Sequence, residues 1–301
     1  MIVSKILAID SPFLNKNNTG LGNVLFQIFT AFGISKKFSL CFNNSFLNIL
    51  LNKLEKLNLD HEKTIYRNLI TDSSLNNNFI ILKERSYMYS LYSDNIVKYI
   101  NLNSKKNYCL EGYFQSHLYF DDYRNIIIKL LEPDYESINY IKKKYSNLFD
   151  NNITNISLHI RNNWGKNIKY NLDFFIKAIE YILNNISYTN VIINVFSDDI
   201  FEIEKKLNYK KHKIIFYKDN VDYIDLWCMS MCNHNILSHS TLSWWGAYIN
   251  NNINKIVVYP KDILRLFEAT LYSRYIKIER CEEHYKKEWI ALDYENVLYI
   301  E

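Results

Sequence analysis

The residue types best suited to chemistry stand at the ends of three short apolar runs in the second half of the chain. Each run predicts a buried strand. The polar residues are His159 and Arg161 at the first run, Asp198 and Asp199 after the second, and Ser240 and Thr241 after the third. An arginine fork, carboxylate acceptors and a helix start are groups that hold a diphosphate and stabilise its departure. A sugar donor linked through a diphosphate is one ligand that such a set could hold.

Arg161 and His159 alternate at the end of a predicted strand, so both side chains can point to one face of the sheet. The Arg161 guanidinium could hold two phosphate oxygens and stabilise the leaving group. Pairing with a surface acid explains the same position equally well. An isolated histidine is more often structural, so His159 is a candidate because of its place beside Arg161.

Asp198 and Asp199 leave three interpretations open. One carboxylate could accept from N1–H and the 2-amino group of guanine, a pattern that adenine and uracil do not offer. The pair could instead hold Mg²⁺ or Mn²⁺ under a nucleoside diphosphate. The third interpretation is a turn that caps a short helix over 200–207.

Ser240 and Thr241 precede a predicted helix over 241–250, where Ser and Thr normally cap the first turn. The same geometry leaves N–H donors for a phosphate, so a cap and an anion site share one structure. The following Trp244 and Trp245 are expected in the core and not as a platform for a sugar.

Two glycines join the first predicted strand, Ile2–Ile9, to a long apolar segment, Val24–Phe38. In this interpretation Gly20, Gly22 and Asn23 belong to the loop between them. A strand, a glycine turn and a helix in that order can turn backbone N–H groups toward an anion. A plain structural turn explains the glycines as well.

The elements that must position these residues form a regular pattern after residue 150. Predicted strands alternate with helices, which is typical of βαβ units and a parallel sheet. The strands are 155–161, 191–196, 213–217, 235–237 and 255–259, and the helices are 172–186, 200–207, 222–232 and 241–250. Ligands of such sheets bind at the carboxyl ends of the strands. Residues 151–262 therefore predict a Rossmann-like domain of the α/β class.

The rest of the chain is assigned to an N-terminal domain, 1–150, and a tail segment, 263–301. The first contains predicted strands at 79–82 and 108–114, a polar stretch at 44–78, and helices within 117–131 and 136–149. The tail either packs back on the N-terminal domain or contacts the acceptor or a partner.

Composition excludes several classes of protein. The 301 residues are 48% apolar and 23% charged, which fits neither a disordered nor a fibrous chain. The net charge of +4 is small and spread out, so nucleic acid is not an expected partner. The 5 cysteines form no zinc-ligand pattern, so we expect no metal site. The absence of a signal peptide or membrane-spanning run predicts a soluble cytoplasmic protein.

Several segments, taken together, carry a resemblance to a known family. They are Gly20–Asn23 with Phe26 and Gln27, Leu110–Ser116, His159–Arg161, Phe196–Asp199, Asp225 with Met229 and Ser230, Cys232–Ile236, and Ser240–Ala247. In this order the chain resembles glycosyltransferase family 11, the α-1,2-fucosyltransferases. The resemblance implies a GT-B-like chain of two Rossmann-like domains with parallel sheets.

The resemblance further implies an inverting, metal-independent transfer of L-fucose from GDP-β-L-fucose to a terminal sugar hydroxyl of a glycan. The expected linkage is α-1,2 and the expected acceptor sugar is galactose. The GDP-sugar is a co-substrate and no other cofactor is implied. The C-terminal domain then holds the donor, with Arg161 on the diphosphate and His159 fixing the nucleotide. One of Asp198 and Asp199 reads guanine.

The remaining implied contacts come from both domains. Gly22 and Asn23 approach the pyrophosphate or the fucose from the N-terminal domain, which also holds much of the acceptor. Ser240 and Thr241 complete the phosphate site.

This chain departs from the family after Arg161. The usual motif is His-x-Arg-Arg-Gly-Asp, whereas Arg161 is followed here by Asn162–Gly165, so the second arginine and the acid are absent. A contact near the reacting sugar has changed, and one candidate general base is gone. Glu111, Asp121 and Asp122 are acids in or near a matching segment, and ordinary solvated positions explain them equally well.

Three rival functions stay open. The first is a transferase of the same fold that uses another GDP-linked or dTDP-linked deoxyhexose. The second is a metal-dependent GT-A transferase or nucleotidyl transferase, with Asp198 and Asp199 as metal ligands. The third is a glycan-binding protein that keeps the fold and has lost turnover.

Overall fold

The computed structural model describes residues 1–5, 20–43, 79–84, 92–103, 105–162, 172–261 and 284–293. They divide into two units, Met1–Glu132 with Glu279–Lys286 and Pro133–Ile278 with Lys287–Glu301. The helix and turn between 135 and 149, which the sequence assigns to the first domain, group with the second unit. The predictions for 6–19, 44–78, 163–171 and most of 262–301 lie outside the described residues.

The first unit is built on a four-stranded parallel sheet in the order β2-β1-β4-β3. The strands are β1, Ile2–Lys5; β2, Phe42–Asn43; β3, Ile80–Lys83; and β4, Tyr108–Glu111. Ile2 and Ile80 both pair with Tyr108, so β1, β4 and β3 run in one register and their carboxyl ends finish side by side.

Helix α1, Leu21–Lys37, packs against β1 and is buried along most of its length. Its sequence is apolar on every side, which is typical of a helix enclosed by its own unit. At its middle the chain approaches so closely that a Cβ on Gly33 would lie 2.2 Å from the carbonyl oxygen of Tyr119. Only glycine fits this contact.

Three short helices are described between β3 and the second sheet, the first of them before β4. They are α2, Asp94–Leu102; α3, Arg124–Leu130; and α4, Tyr135–Lys144. The sequence predicts helices across 117–131 and 136–149, whereas the structure has 3₁₀ turns at 117–119, 121–123 and 146–149 beside α3 and α4. The Phe120 N–H donates to His117 O and the Tyr123 N–H to Phe120 O, and these tighter bonds replace the first turns of an α-helix.

The second unit is built on a six-stranded parallel sheet in the order β10-β9-β8-β5-β6-β7. The strands are β5, Thr154–Ile160; β6, Val191–Ser197; β7, Lys213–Phe216; β8, His234–Ile236; β9, Val257–Pro260; and β10, Ile290–Leu292. The chain moves outward from β5 to β7 and then returns to place β8 on the other side of β5. Such a reversal is where open α/β sheets bind ligands.

In the part of the chain that the structure describes, four helices connect these strands: α5, Leu172–Asn184; α6, Ile200–Lys206; α7, Asp222–Ser230; and α8, Thr241–Ile249. The apolar face of α5 packs on β5 and β6 in a core that excludes water. Trp244 and Trp245 of α8 are 1% and 0% exposed, and Trp244 stacks on Tyr248 with ring centroids 4.9 Å apart. The expectation that these tryptophans belong to the core is confirmed.

Buried asparagines cross-link the second sheet. The Asn147 amide donates to Oδ1 of Asn155 and of Asn194, at 2.8 and 2.9 Å. On the other side of β5, Asn235 donates to Ser157 Oγ at 2.7 Å and accepts from Asn250 Nδ2 at 2.8 Å. Each amide has a partner, as buried polar groups require.

The α/β class with two Rossmann-like, parallel-sheet units, the GT-B-like organisation expected from the sequence, is confirmed. The strands of the second sheet lie within about two residues of their predicted positions, apart from β10, which the sequence did not predict. Within the described ranges, no helix has the length and apolar character to cross a membrane.

Candidate active site

The candidate residues of the second unit meet at the reversal point of its sheet. Ile160 pairs with Ser197 across β5 and β6, and Leu158 pairs with Ile236 across β5 and β8. The carboxyl ends of three neighbouring strands therefore finish together. Polar residues that are far apart in the sequence are brought to one edge, as the strand pattern predicts.

Arg161 and Asp198 form an ion pair across this edge. The Arg161 Nε lies 3.2 Å from Asp198 Oδ2, and the two side chains are 36% and 18% exposed. The backbone N–H of Asn162 donates to the other carboxylate oxygen, Asp198 Oδ1, at 2.7 Å. Asp198 thus fixes both the arginine and the chain that follows it, and the guanidinium remains partly open to solvent.

Asn162 also contacts the second carboxylate of the pair. Its Nδ2 donates to Asp199 Oδ2 at 3.1 Å, while Asp199 Oδ1 accepts from the Glu202 N–H at 3.4 Å and caps α6. The turn and cap expected for Asp199 is present. The residue that replaces the family's second arginine is a neutral donor to this carboxylate. Asn163 and Trp164 lie outside the described residues.

His159 is buried beneath the edge. Its Nδ1 forms a hydrogen bond with Ser238 Oγ, 2.7 Å away, which ties the end of β5 to the segment after β8. Burial lowers the pKa of His159 to about 4; the charge on Asp198 raises this pKa and that on Arg161 lowers it. The imidazole is therefore neutral near pH 7 and acts here as a hydrogen-bonding group that holds the edge together.

Ser240 and Thr241 begin α8 at the third strand end. The Ser240 Oγ accepts from the Leu242 N–H at 3.3 Å, so Ser240 is the N-cap. Thr241 is the first residue of the helix and is partly exposed. The predicted cap is present, and its geometry leaves the anion-site interpretation in place.

The glycine segment of the first unit differs from its prediction. Helix α1 begins at Leu21, so Gly22 and Asn23 lie in its first turn and not in the loop before it. Gly20 is the N-cap with a left-handed φ of 52°, and its carbonyl accepts from the Asn23 and Val24 N–H groups. The positive φ lets the chain enter the helix three residues earlier than the apolar pattern indicates.

Asn23 has a side-chain partner that spacing does not reveal. Gln115 Nε2 donates to Asn23 Oδ1 at 2.8 Å, and the Gln115 carbonyl accepts from His284 Nδ1 at 2.6 Å. Burial lowers the pKa of His284 to about 4, so this imidazole is neutral near pH 7. Residues 284–286 of the C-terminal segment thus belong to the first unit, which is the first of the places that the sequence allows for this segment.

The acids of the first unit have their own ion-pair partners. Glu111 Oε1 lies 3.0 Å from Lys83 Nζ, and Asp121 accepts from Lys286 Nζ at 2.8 and 2.9 Å. Sequence reasoning missed Glu84, which follows β3. It was missed because the rule that ligand-binding residues follow parallel strands was applied only to the second sheet, although β3 and β4 end together as well.

Comparison with known families shows where this chain belongs. The model of glycosyl transferase family 11 matches residues 13–293.

The chain is a member of glycosyl transferase family 11.

Its relatives include two proteins of Escherichia coli. One is an O-antigen biosynthesis glycosyltransferase, WbnK, at 29% identity over 80% of this chain and 91% of the relative. The other is an alpha-1,2-colitosyltransferase at 27% identity over 87% of this chain and 97% of the relative. A solved structure, NodZ alpha-1,6-fucosyltransferase soaked with GDP-fucose, aligns with 82% of this chain and 92% of its own at 10% identity and a TM-score of 0.45. That likeness is too distant to bear on the substrate.

Family membership gives the general chemistry. The chain is a glycosyltransferase, and its substrates are a nucleotide-sugar donor and a glycan acceptor.

Proposed function

We propose that this family 11 enzyme transfers L-fucose from GDP-β-L-fucose to a terminal sugar hydroxyl of a glycan, with galactose as the acceptor sugar and an α-1,2 linkage in the product. The observation that carries the proposal is the Arg161 guanidinium, fixed by Asp198 at the reversal point of the second sheet. A planar guanidinium is suited to diphosphate oxygens and to the charge that grows on them as the glycosidic bond breaks.

The proposed step is an inverting displacement. The acceptor oxygen forms a bond to the anomeric carbon, the bond from that carbon to the β-phosphate oxygen breaks, and GDP leaves with the electron pair. The hydroxyl proton passes to solvent or to a base. Arg161 stabilises the leaving diphosphate, Thr241 and the start of α8 offer donors to it, and one of Asp198 and Asp199 reads guanine.

A metal-independent reaction is part of the proposal. In Asp198, one oxygen pairs with the Arg161 guanidinium and the other accepts from the Asn162 N–H. In Asp199, one oxygen accepts from the Asn162 side chain and the other from the Glu202 N–H. Because Arg161 already offsets the charge of Asp198 and because Asp199 caps α6, these contacts support such roles over metal ligation. Each carboxylate oxygen keeps a second lone pair, which can accept from guanine. The cation that offsets the diphosphate is then the guanidinium.

A second candidate is transfer of colitose or another nucleotide-linked deoxyhexose. Two observations favour it: a relative is an alpha-1,2-colitosyltransferase, and the neutral Asn162 stands where the family has an arginine. A changed contact near the reacting sugar is what a changed donor sugar requires.

The test is a transfer assay in EDTA with a galactose-terminated acceptor. GDP-fucose, GDP-colitose and a dTDP-linked deoxyhexose are supplied separately, and the product is analysed by mass and by the linkage seen in NMR spectra. An α-1,2-fucosylated product supports the first candidate, and a product formed only with another donor supports the second. Sugar binding without release of any nucleotide from any donor would contradict both and indicate a glycan-binding protein.

A further inference from the structure

The first unit contains a carboxylate that holds two consecutive backbone amides. Glu84 follows β3, and its Oε2 and Oε1 accept from the N–H groups of Tyr113 and Phe114 at 2.7 and 2.9 Å. The backbone of Glu84 is itself fixed, because its N–H donates to the Glu111 carbonyl at 2.9 Å. One side chain therefore determines the path of the chain as it leaves β4.

The backbone is adapted to this contact. A Cβ on Gly112 would lie 2.4 Å from Glu84 Cβ and 2.7 Å from its Oε2, so only glycine lets the carboxylate come so close. Two residues later Phe114 has a φ of 50°, a left-handed conformation that a bulky side chain rarely adopts. Such strain persists where the surroundings enforce it, and here the enforcing contacts are the two bonds to Glu84 and one from Thr30 Oγ1 to the Phe114 carbonyl.

The turn delivers Gln115 to Asn23. The Gln115 side chain follows directly after the left-handed residue and donates to Asn23 Oδ1 at 2.8 Å. Asn23 lies in the first turn of α1, where Gln27 Nε2 also donates to its carbonyl at 3.0 Å. A relaxed turn at 112–114 would move the Gln115 amide away from Asn23 while leaving the sheet and the helix in place.

We infer that Glu84 is a positioning residue of the transferase: its carboxylate fixes the 112–114 turn and thereby the Gln115–Asn23 pair. This inference rests on the proposed function and on the contact of Asn23 with the pyrophosphate or the fucose that the family resemblance implies. Glu84 acts through Gln115 and Asn23 and does not itself touch a reacting atom.

Ionisation of Glu84 gives the inference a second readout. Burial raises the pKa of this carboxyl to about 7, and the hydrogen bonds from Tyr113 and Phe114 lower it. Protonation removes one acceptor, so turnover falls as the pH drops below about 7. The charged or titratable groups on the adjoining strands and turns are Lys83, Glu111, His117, Asp121, His284 and Lys286.

The experiment compares wild type with Glu84→Gln and, as a matched control, Glu132→Gln, an exposed glutamate of the same unit. The glutamine has the shape of the glutamate, but its NH₂ group faces one of the two backbone N–H donors. We expect kcat to fall on the order of 10- to 100-fold. The dissociation constant for GDP and the unfolding temperature should change little, and the fall in turnover below pH 7 should disappear. Glu132→Gln should match wild type.

Amide hydrogen exchange supplies a readout that is independent of substrate. Tyr113 and Phe114 should be protected in wild type and should exchange faster in Glu84→Gln. Full turnover by Glu84→Gln beside an active wild type, or retention of its acid limb, overturns the role of Glu84 alone. A wild type that neither binds GDP nor turns over a GDP-sugar overturns the proposed function; unchanged exchange at 113 and 114 then overturns the turn-fixing role as well.

Discussion

The two units hold their candidate residues in different ways. In the second unit, side chains from neighbouring strand ends hold one another directly, as Arg161 with Asp198 and His159 with Ser238 show. In the first unit, Asn23 is reached through a backbone turn that Glu84 fixes. In a parallel sheet the strand order alone brings reactive residues together, whereas a turn positions such residues only when a specific contact holds its shape.

The largest effect is expected at the ion pair of the second unit. Arg161→Ala removes the cation proposed to stabilise the leaving diphosphate, and turnover should fall on the order of 100-fold or more. The fold should remain, because the side chain is partly exposed. Steady-state kinetics with circular dichroism checks this, and Lys206→Ala, an exposed lysine of the same unit, is the control. Full activity in Arg161→Ala would remove the assigned role.

The next effect concerns close backbone approach in the first unit. In Gly33→Ala the new Cβ meets the Tyr119 carbonyl and the Phe120 Cα, and unfolding free energy should drop by about 3 kcal/mol. Gly20→Ala, at the start of the same helix, meets only Asn23 at an ordinary contact distance of 3.7 Å and has an unfavourable φ, so it should cost about 1 kcal/mol. Urea unfolding measures both. Equal stability of Gly33→Ala and wild type would show that this contact does not hold the unit together.

A smaller, pH-dependent effect is expected at Asp225 on α7, which accepts from Asn220 Nδ2 at 2.8 Å. Burial raises its pKa from 3.8 to about 7 and the nearby Asp222 raises it too, while the Asn220 bond and Lys144 lower it. Because the folded-state pKa lies above the unfolded one, ionisation costs stability that grows from about pH 4 and is complete above about pH 7.

Asp225→Asn removes this cost and keeps an acceptor for Asn220. Relative to wild type it should gain about 2 kcal/mol in unfolding free energy between about pH 4 and pH 8, less than the full shift because the residue is partly exposed. Urea titrations at both pH values give the difference. The exposed Asp219→Asn should show no such gain. A variant whose advantage does not grow with pH would mean that Asp225 is not destabilised in its charged form.

The smallest effects separate a cap from an anion site at the third strand end. Ser240→Ala should lower stability by about 1 kcal/mol because the N-cap is lost. Thr241→Ala should leave stability unchanged and weaken GDP binding about fivefold, the value of one hydrogen bond. Thermal unfolding and calorimetry on the same samples distinguish them. If Thr241→Ala binds GDP as wild type does, Thr241 is not part of an anion site at this helix start.

The two units also differ in how much of their structure could be predicted from the sequence. The strands of the second sheet are runs of β-branched and apolar residues, so β5 and β6 could be predicted from periodicity. The place of Arg161 and Asp198 at one sheet edge could be predicted from the rule for parallel strands, but their ion pair could not. The helical position of Gly22 and Asn23 could not, since it depends on a left-handed φ at Gly20. Nor could the Glu84 turn, because a bond from a side chain to a backbone 29 residues away leaves no periodic trace.

The buried asparagines show the same limit. An amide-rich composition does not indicate which amides are buried. Only the pairing of β5 with β6 and β8 lets Asn194 donate to Asn155 and Asn235 donate to Ser157.

The most direct test of the central claim is calorimetric titration of the wild-type protein with GDP, UDP, ADP and dTDP, first in EDTA and then with Mg²⁺. A guanidinium-based donor site with a guanine-reading carboxylate predicts clear preference for GDP in EDTA and little change on adding Mg²⁺. Equal affinity for the four nucleotides, or binding that appears only with Mg²⁺, would contradict the donor site assigned to Arg161, Asp198 and Asp199.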